Sequence, residues 1–179
     1  MYETDAELAG LQALLDESLA GATGHLRSII RPERTLTAAQ LVSVLTGMCT
    51  LAVSSVTARC EPRVSGADGH FLHGRWVIST DRSAAKARHF AARPAVSLAH
   101  LRGDEFGVFT HGTVHELNPG GGPDGAEGRD DPSWPAIHEY LTRHYDSDPV
   151  SWGDVVVYQV RPSWMVAYAA NPAALASGA

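Results

Sequence analysis

The sequence predicts a mainly β protein, an antiparallel barrel of six to seven strands with peripheral helices. Short runs rich in β-branched and aromatic residues recur between residues 49 and 168. They follow one another through turn residues without a regular strand–helix alternation, which argues against a doubly wound parallel sheet. Helical spacing is concentrated in the first quarter of the chain and in two later segments. At 179 residues the chain suits one hydrophobic core, since single cores stop growing at roughly 250 to 300 residues. One domain over residues 1–179 is expected, with 1–47 as a helical N-terminal extension.

In chain order, Thr4 and Glu7 have capping-box spacing, and Leu8, Leu11, Leu15 and Leu19 follow at helical intervals up to Gly21. An apolar piece at 26–30 stops at Arg31-Pro32. A second capping box, Thr37 with Gln40, opens a helix through Leu41, Val44 and Leu45 that Gly47 ends. Cys49, Leu51 and Val53 then alternate with Thr50, Ala52 and Ser54 as a strand reaching Thr57. Residues 63–67 and 75–80 read as two more strands, with Asp68-Gly69 and His73-Gly74 as turn signals. Whether 70–72 extends the earlier strand is open at this stage.

Residues 83–93 read as a helix capped by Asp81 or Ser83 and closed by Pro94. Residues 95–101 and 105–117 form a hairpin through Arg102-Gly103-Asp104. The run NPGGGPDGAEGRDD has no apolar periodicity, so 118–133 is expected to be a mobile loop. Ser133 is expected to cap a helix with Pro135 in its first turn and Ile137, Tyr140, Leu141 and His144 on its buried face. A strand at 154–160, a break at Arg161-Pro162, a short strand through Met165, Val166 and Tyr168, and a loosely ordered tail complete the chain.

Composition narrows the function. The net charge of -6 and the absence of any basic run argue against nucleic acid as a partner. Residues 35–58 carry no charge and exceed the ~20 residues of a bilayer span, but their hydroxyls, Gly47 and mid-course change of repeat argue against a membrane segment. Two cysteines, Cys49 and Cys60, make no disulfide framework, and the first ten residues lack a signal-peptide pattern, so a reducing, cytoplasmic setting is expected. The nine histidines show no zinc-ligand spacing, so no metal is expected. There is no nucleophile elbow, phosphate loop or dinucleotide fingerprint, and no side chain is assigned a catalytic role.

What remains is WVISTDRSAAKARHFAAR. A strand ends in Ser79-Thr80 and a helix begins near Ser83, with Arg82 and Lys86 by its first turn. Of fourteen basic residues thirteen are Arg, and Lys86 is the only lysine. Free amide groups, hydroxyl donors and a cation together suit a phosphate monoester.

This run, behind LAVSSVT and PRVSGAD and ahead of GDEFGVFTHGTVHEL, resembles the pyridoxamine 5′-phosphate oxidase-like flavin-binding split barrels. The likeness covers roughly residues 51–117 and, more weakly, VVVYQVRPSWMVAY. It implies a split-barrel homodimer that binds FMN, or alternatively a 5-deazaflavin coenzyme, in a groove between subunits, and acts as an oxidoreductase on a small-molecule substrate. It further implies that Thr80, Ser83, Lys86 and Arg88 meet the phosphate, that the backbone of Val64, Ser65, Val77 and Ile78 meets the ring, and that Trp152 or Trp164 closes the site from the other subunit. A non-catalytic flavin- or haem-binding barrel is the competing class. The sequence departs from the family at Ala84 and Ala85, where members often carry an Arg that Arg82 or Arg88 would have to replace. It also lacks the C-terminal Arg and His substrate pattern of the oxidases proper.

Overall fold

The structure, a computed structural model, describes residues 2–119 and 131–177. Its centre is a closed antiparallel barrel of six strands in the order β1-β2-β3-β6-β5-β4. The strands are β1 (Cys49–Val56), β2 (Pro62–Leu72), β3 (Arg75–Asp81), β4 (Ala95–Arg102), β5 (Phe106–Glu116) and β6 (Val155–Ala169). The wall closes where residues 52–54 of β1 pair with 97–99 of β4. Leu51, Val53, Trp76, Ile78, Leu98, Phe106, Val160 and Met165 fill the interior.

The helices are α1 (Asp5–Ala20), α2 (Gly24–Ile29), α3 (Ala38–Val44), α4 (Ala85–Ala92), α5 (Trp134–Tyr145) and α6 (Pro172–Ser177). Both expected capping boxes are present, at Thr4 with Glu7 and at Thr37 with Gln40. Helix α1 lays Leu11 and Leu15 on the barrel core, and its Ser18 hydroxyl accepts the Met165 amide at 2.9 Å. Helix α5 packs Trp134, Ile137 and Leu141 against Val77 and Val157 on the outer face of β3 and β6. Strand β3 is therefore covered on both faces, which explains its unbroken apolar run Trp76-Val77-Ile78.

Several expectations are corrected. Asp68-Gly69 is no turn: β2 runs unbroken through it and includes residues 70–72. Gly69 is there because a Cβ at that position would stand 2.4 Å from Leu51 Cδ1. The real turn is His73-Gly74, with φ of 55° and 69°, the two positive values a two-residue hairpin loop requires. Arg161-Pro162 does not end a strand, because a bulge between His111 and Gly112 brings Pro162 opposite Gly112 and leaves Ser163 as the extra residue, so β6 continues. Helix α4 starts at Ala85 with no side-chain cap, and the Ser133 hydroxyl donates to Asp131 Oδ1 instead of capping α5. His144 is exposed although it touches the buried His70 ring. The tail forms α6, with Leu175 against the core. Most of the expected loop, residues 120–130, lies outside the described residues.

Candidate functional site

The barrel wall is open along one seam, and the strand registers show where. Strand β2 pairs with β1 from Pro62 to Gly69 but with β3 only from Gly69 to Leu72. Strand β3 pairs with β6 along its last three residues, which have no partner in β2. Residues 62–68 of β2 and 79–81 of β3 therefore each present one unpaired backbone edge, and the two diverge from the pair Gly69 and Ile78. Helix α4 packs by this opening, with Ala87 and Phe90 in the barrel core and Phe90 edge-on to Tyr158 at 5.4 Å.

Lys86 spans the seam. Its Nζ donates to the carbonyl oxygen of Gly66, on the unpaired edge of β2, at 2.5 Å. Burial lowers the Lys86 pKa, and the nearby Asp68 carboxylate opposes that shift. Strand alternation sets Ser55, Ser65 and Thr80 on the inner face of this end, continuing the inward rows of Val53, Ala67 and Ile78. The hydroxyls of Ser65 and Thr80 are half-buried and have no hydrogen-bond partner among the described residues. Ser55 is buried and sits 2.9 Å from His89 Nδ1, one turn along α4 from Lys86.

The turn into α4 is organised by Asp81, whose Oδ1 accepts the Ser83 hydroxyl at 2.5 Å and the Ser83 amide at 2.7 Å. These two donors hold the Asp81 carboxyl below its ordinary range. Arg88 folds back onto the Ser83 carbonyl, so its guanidinium lies at the junction. Arg82 points elsewhere: it binds Glu116 at 2.6 Å, Asp154 at 3.2 Å and the Asn118 carbonyl at 3.3 Å. The Glu116 bond above all raises its pKa. Arg82 is thus engaged with β5 and β6, whereas Arg88 lies at the junction.

The expected site residues divide accordingly. Ser65, Thr80, Ser83, Lys86 and Arg88 come to the seam or its junction, and Val64 lies beside it on the outer face, 73% exposed. Val77 and Ile78 do not offer their backbone to a ring: both are paired to β2 on one side and β6 on the other, and their side chains are buried. The free edge begins two residues later, at Ser79. Trp152 is 54% exposed and donates to Ser147, while Trp164 stacks on His111 at 4.7 Å on the far wall. Neither lines the seam of its own chain. Sequence reading missed Ser55, Gly66 and His89, although the inward period of β1 marks Ser55 and the i, i+3 spacing from Lys86 marks His89.

No family model matches the sequence, and no curated protein matches it. Solved structures do share the fold. An F420 reductase superposes with a TM-score of 0.51 at 21% identity, over 69% of this chain and 93% of that one. A FAD-binding protein from Mesorhizobium loti gives 0.53 at 17%, over 75% and 94%. HutZ, the haem storage protein of Vibrio cholerae, gives 0.56 at 13%, over 73% and 93%. A putative pyridoxamine 5′-phosphate oxidase from Listeria innocua gives 0.51 at 11%, over 71% and 94%, and what this chain shares with these structures is the fold, a six-stranded split barrel.

Proposed function

We propose that this chain is a flavin-dependent oxidoreductase that holds FMN at the seam between β2 and β3, in a groove completed by a second copy of the chain. The observation that carries the reading is Lys86, the only lysine, set across the opening on a single backbone carbonyl. A phosphate is a stronger acceptor than a neutral carbonyl for an ammonium donor, so the lysine gains by exchanging one for the other. Thr80 and Ser65 have hydroxyls without hydrogen-bond partners among the described residues on the same rim, and Arg88 can turn from the Ser83 carbonyl.

When bound, the isoalloxazine supplies the hydride or electron transfer to a small substrate. The chain's part is to bind, orient and exclude water. The unpaired edge of residues 79–81 offers backbone groups to a polar ring edge, and Val64 offers an apolar surface that a second copy would cover. Ligand sites of this kind favour such interfaces. FMN is preferred to a deazaflavin with an acidic tail because Arg82 is already neutralised by Glu116 and Asp154 and Arg93 is held on the Val56 carbonyl. Among the described residues no helix is long and apolar enough to cross a membrane, and a cytoplasmic setting is part of the proposal.

The test is the visible spectrum of the purified protein, followed by titration with FMN and with the deazaflavin under light scattering. A flavin spectrum, one FMN per chain and a dimeric mass are the expected results. A haem Soret band, or a monomer saturated by flavin, overturns the reading.

A further inference from the structure

Away from the seam, α5, the C-terminal end of α3 and the N-terminal residues enclose a second cavity over the end of β2, of about 580 Å³. It shares no lining residue with the junction. Leu45 and Phe71 contribute to its apolar floor, and Tyr2, Glu3, Tyr140 and His144 lie towards its mouth. The rings of Tyr2 and Tyr140 meet at 82° with centroids 5.0 Å apart, forming an aromatic corner, and His144 lies parallel to Tyr140 within 13°.

Tyr140 is fixed from behind. Its hydroxyl lies 3.2 Å from His70 Nδ1, and the other nitrogen of this buried imidazole lies 2.9 Å from the Tyr145 hydroxyl. The Tyr140 half of the corner is thus pre-organised, which lowers the entropic cost of binding. Among the described residues Glu3 is the only carboxylate that lines the cavity, and no Lys or Arg does. Its carboxylate accepts from the amides of Tyr2 and Gly74 and has no cationic partner among the described residues.

A carboxylate with no cationic partner among the described residues, beside aromatic rings and above an apolar floor, selects for positive charge with a hydrocarbon body. Anions are repelled there, and neutral molecules forgo both the ion pair and the ring quadrupoles. We propose that this cavity binds an amphiphilic organic cation, an alkylammonium whose head meets Glu3 and the Tyr2–Tyr140 corner and whose tail lies along Leu45 and Phe71. The volume lies within the range of roughly 300 to 1,000 Å³ typical of small-molecule sites.

Calorimetric titration of the full chain with hexyltrimethylammonium, 1-hexanol and hexyl sulfate tests this. The cation is expected to bind saturably and more tightly than the other two. Glu3→Gln and Tyr2→Leu, both near the chain start, should each weaken it about three- to tenfold while leaving the thermal midpoint unchanged. Equal affinity for the alcohol or the sulfate, no saturable heat, or full retention of cation affinity in both variants would overturn the proposal.

Discussion

The Lys86 ammonium and the Gly66 carbonyl, twenty residues apart in sequence, meet at 2.5 Å across the one stretch where β2 and β3 do not pair. Lys86 reaches from α4 to the unpaired edge of β2, and the carbonyl it meets there is a neutral acceptor that an anion would outcompete under the proposed function. The flavin reading rests on that exchange.

Arg82 separates the site from its surroundings. Because it is bound to Glu116, Asp154 and the Asn118 carbonyl, Arg82→Ala should destabilise the fold by about 1 kcal/mol, the ion pairs being partly exposed and screened. FMN affinity should stay within twofold of the parent. Denaturant melts and an FMN titration check both halves. A tenfold loss of affinity with unchanged stability would move Arg82 into the site.

Buried His70 makes stability depend on pH. Burial first, and then the nearby His144, lower its pKa to about 4 from 6.5. The unfolded chain therefore binds a proton in a window where the folded chain does not, so stability rises with pH there. The contribution is complete above about 6.5 and is lost as pH falls towards about 4, amounting to about 3 kcal/mol. Unfolding free energies measured between pH 7.5 and 4.5 should show this slope, and His70→Gln should flatten it. An unchanged slope in the variant would assign the effect to other groups.

Gly69 tests the corrected strand. Gly69 faces Leu51 across the β1–β2 pair, so the new methyl of Gly69→Ala meets the Leu51 side chain at 2.4 Å. Overpacking of this kind costs about 1 to 3 kcal/mol. A drop in the thermal midpoint is expected, and tolerance of the alanine would contradict the continuous β2.

The fold was legible in the sequence wherever a local signal matched the tertiary result. The capping boxes at Thr4 and Thr37 and the alternation of Cys49, Leu51 and Val53 all kept their expected roles. It was illegible where tertiary packing overrode a local signal. Gly69 reads as a turn residue because the need for space beside Leu51 is a contact between strands, and Pro162 reads as a break because its missing N–H is accommodated by a bulge opposite Gly112. The site follows the same division. Thr80, Ser83 and Lys86 lie in one contiguous run, whereas the Gly66 edge and the engagement of Arg82 by Glu116 depend on strand pairing that no short-range pattern encodes.

The most direct test compares FMN with riboflavin, which has the same ring and no phosphate, on the parent protein and on Lys86→Ala. A charge-assisted contact contributes about 1.5 to 3 kcal/mol, so the variant should bind FMN roughly 10- to 150-fold more weakly while its riboflavin affinity and thermal midpoint stay close to those of the parent. Equal FMN affinity in parent and variant, or parallel losses for FMN and riboflavin, would contradict the assignment of Lys86 to the phosphate.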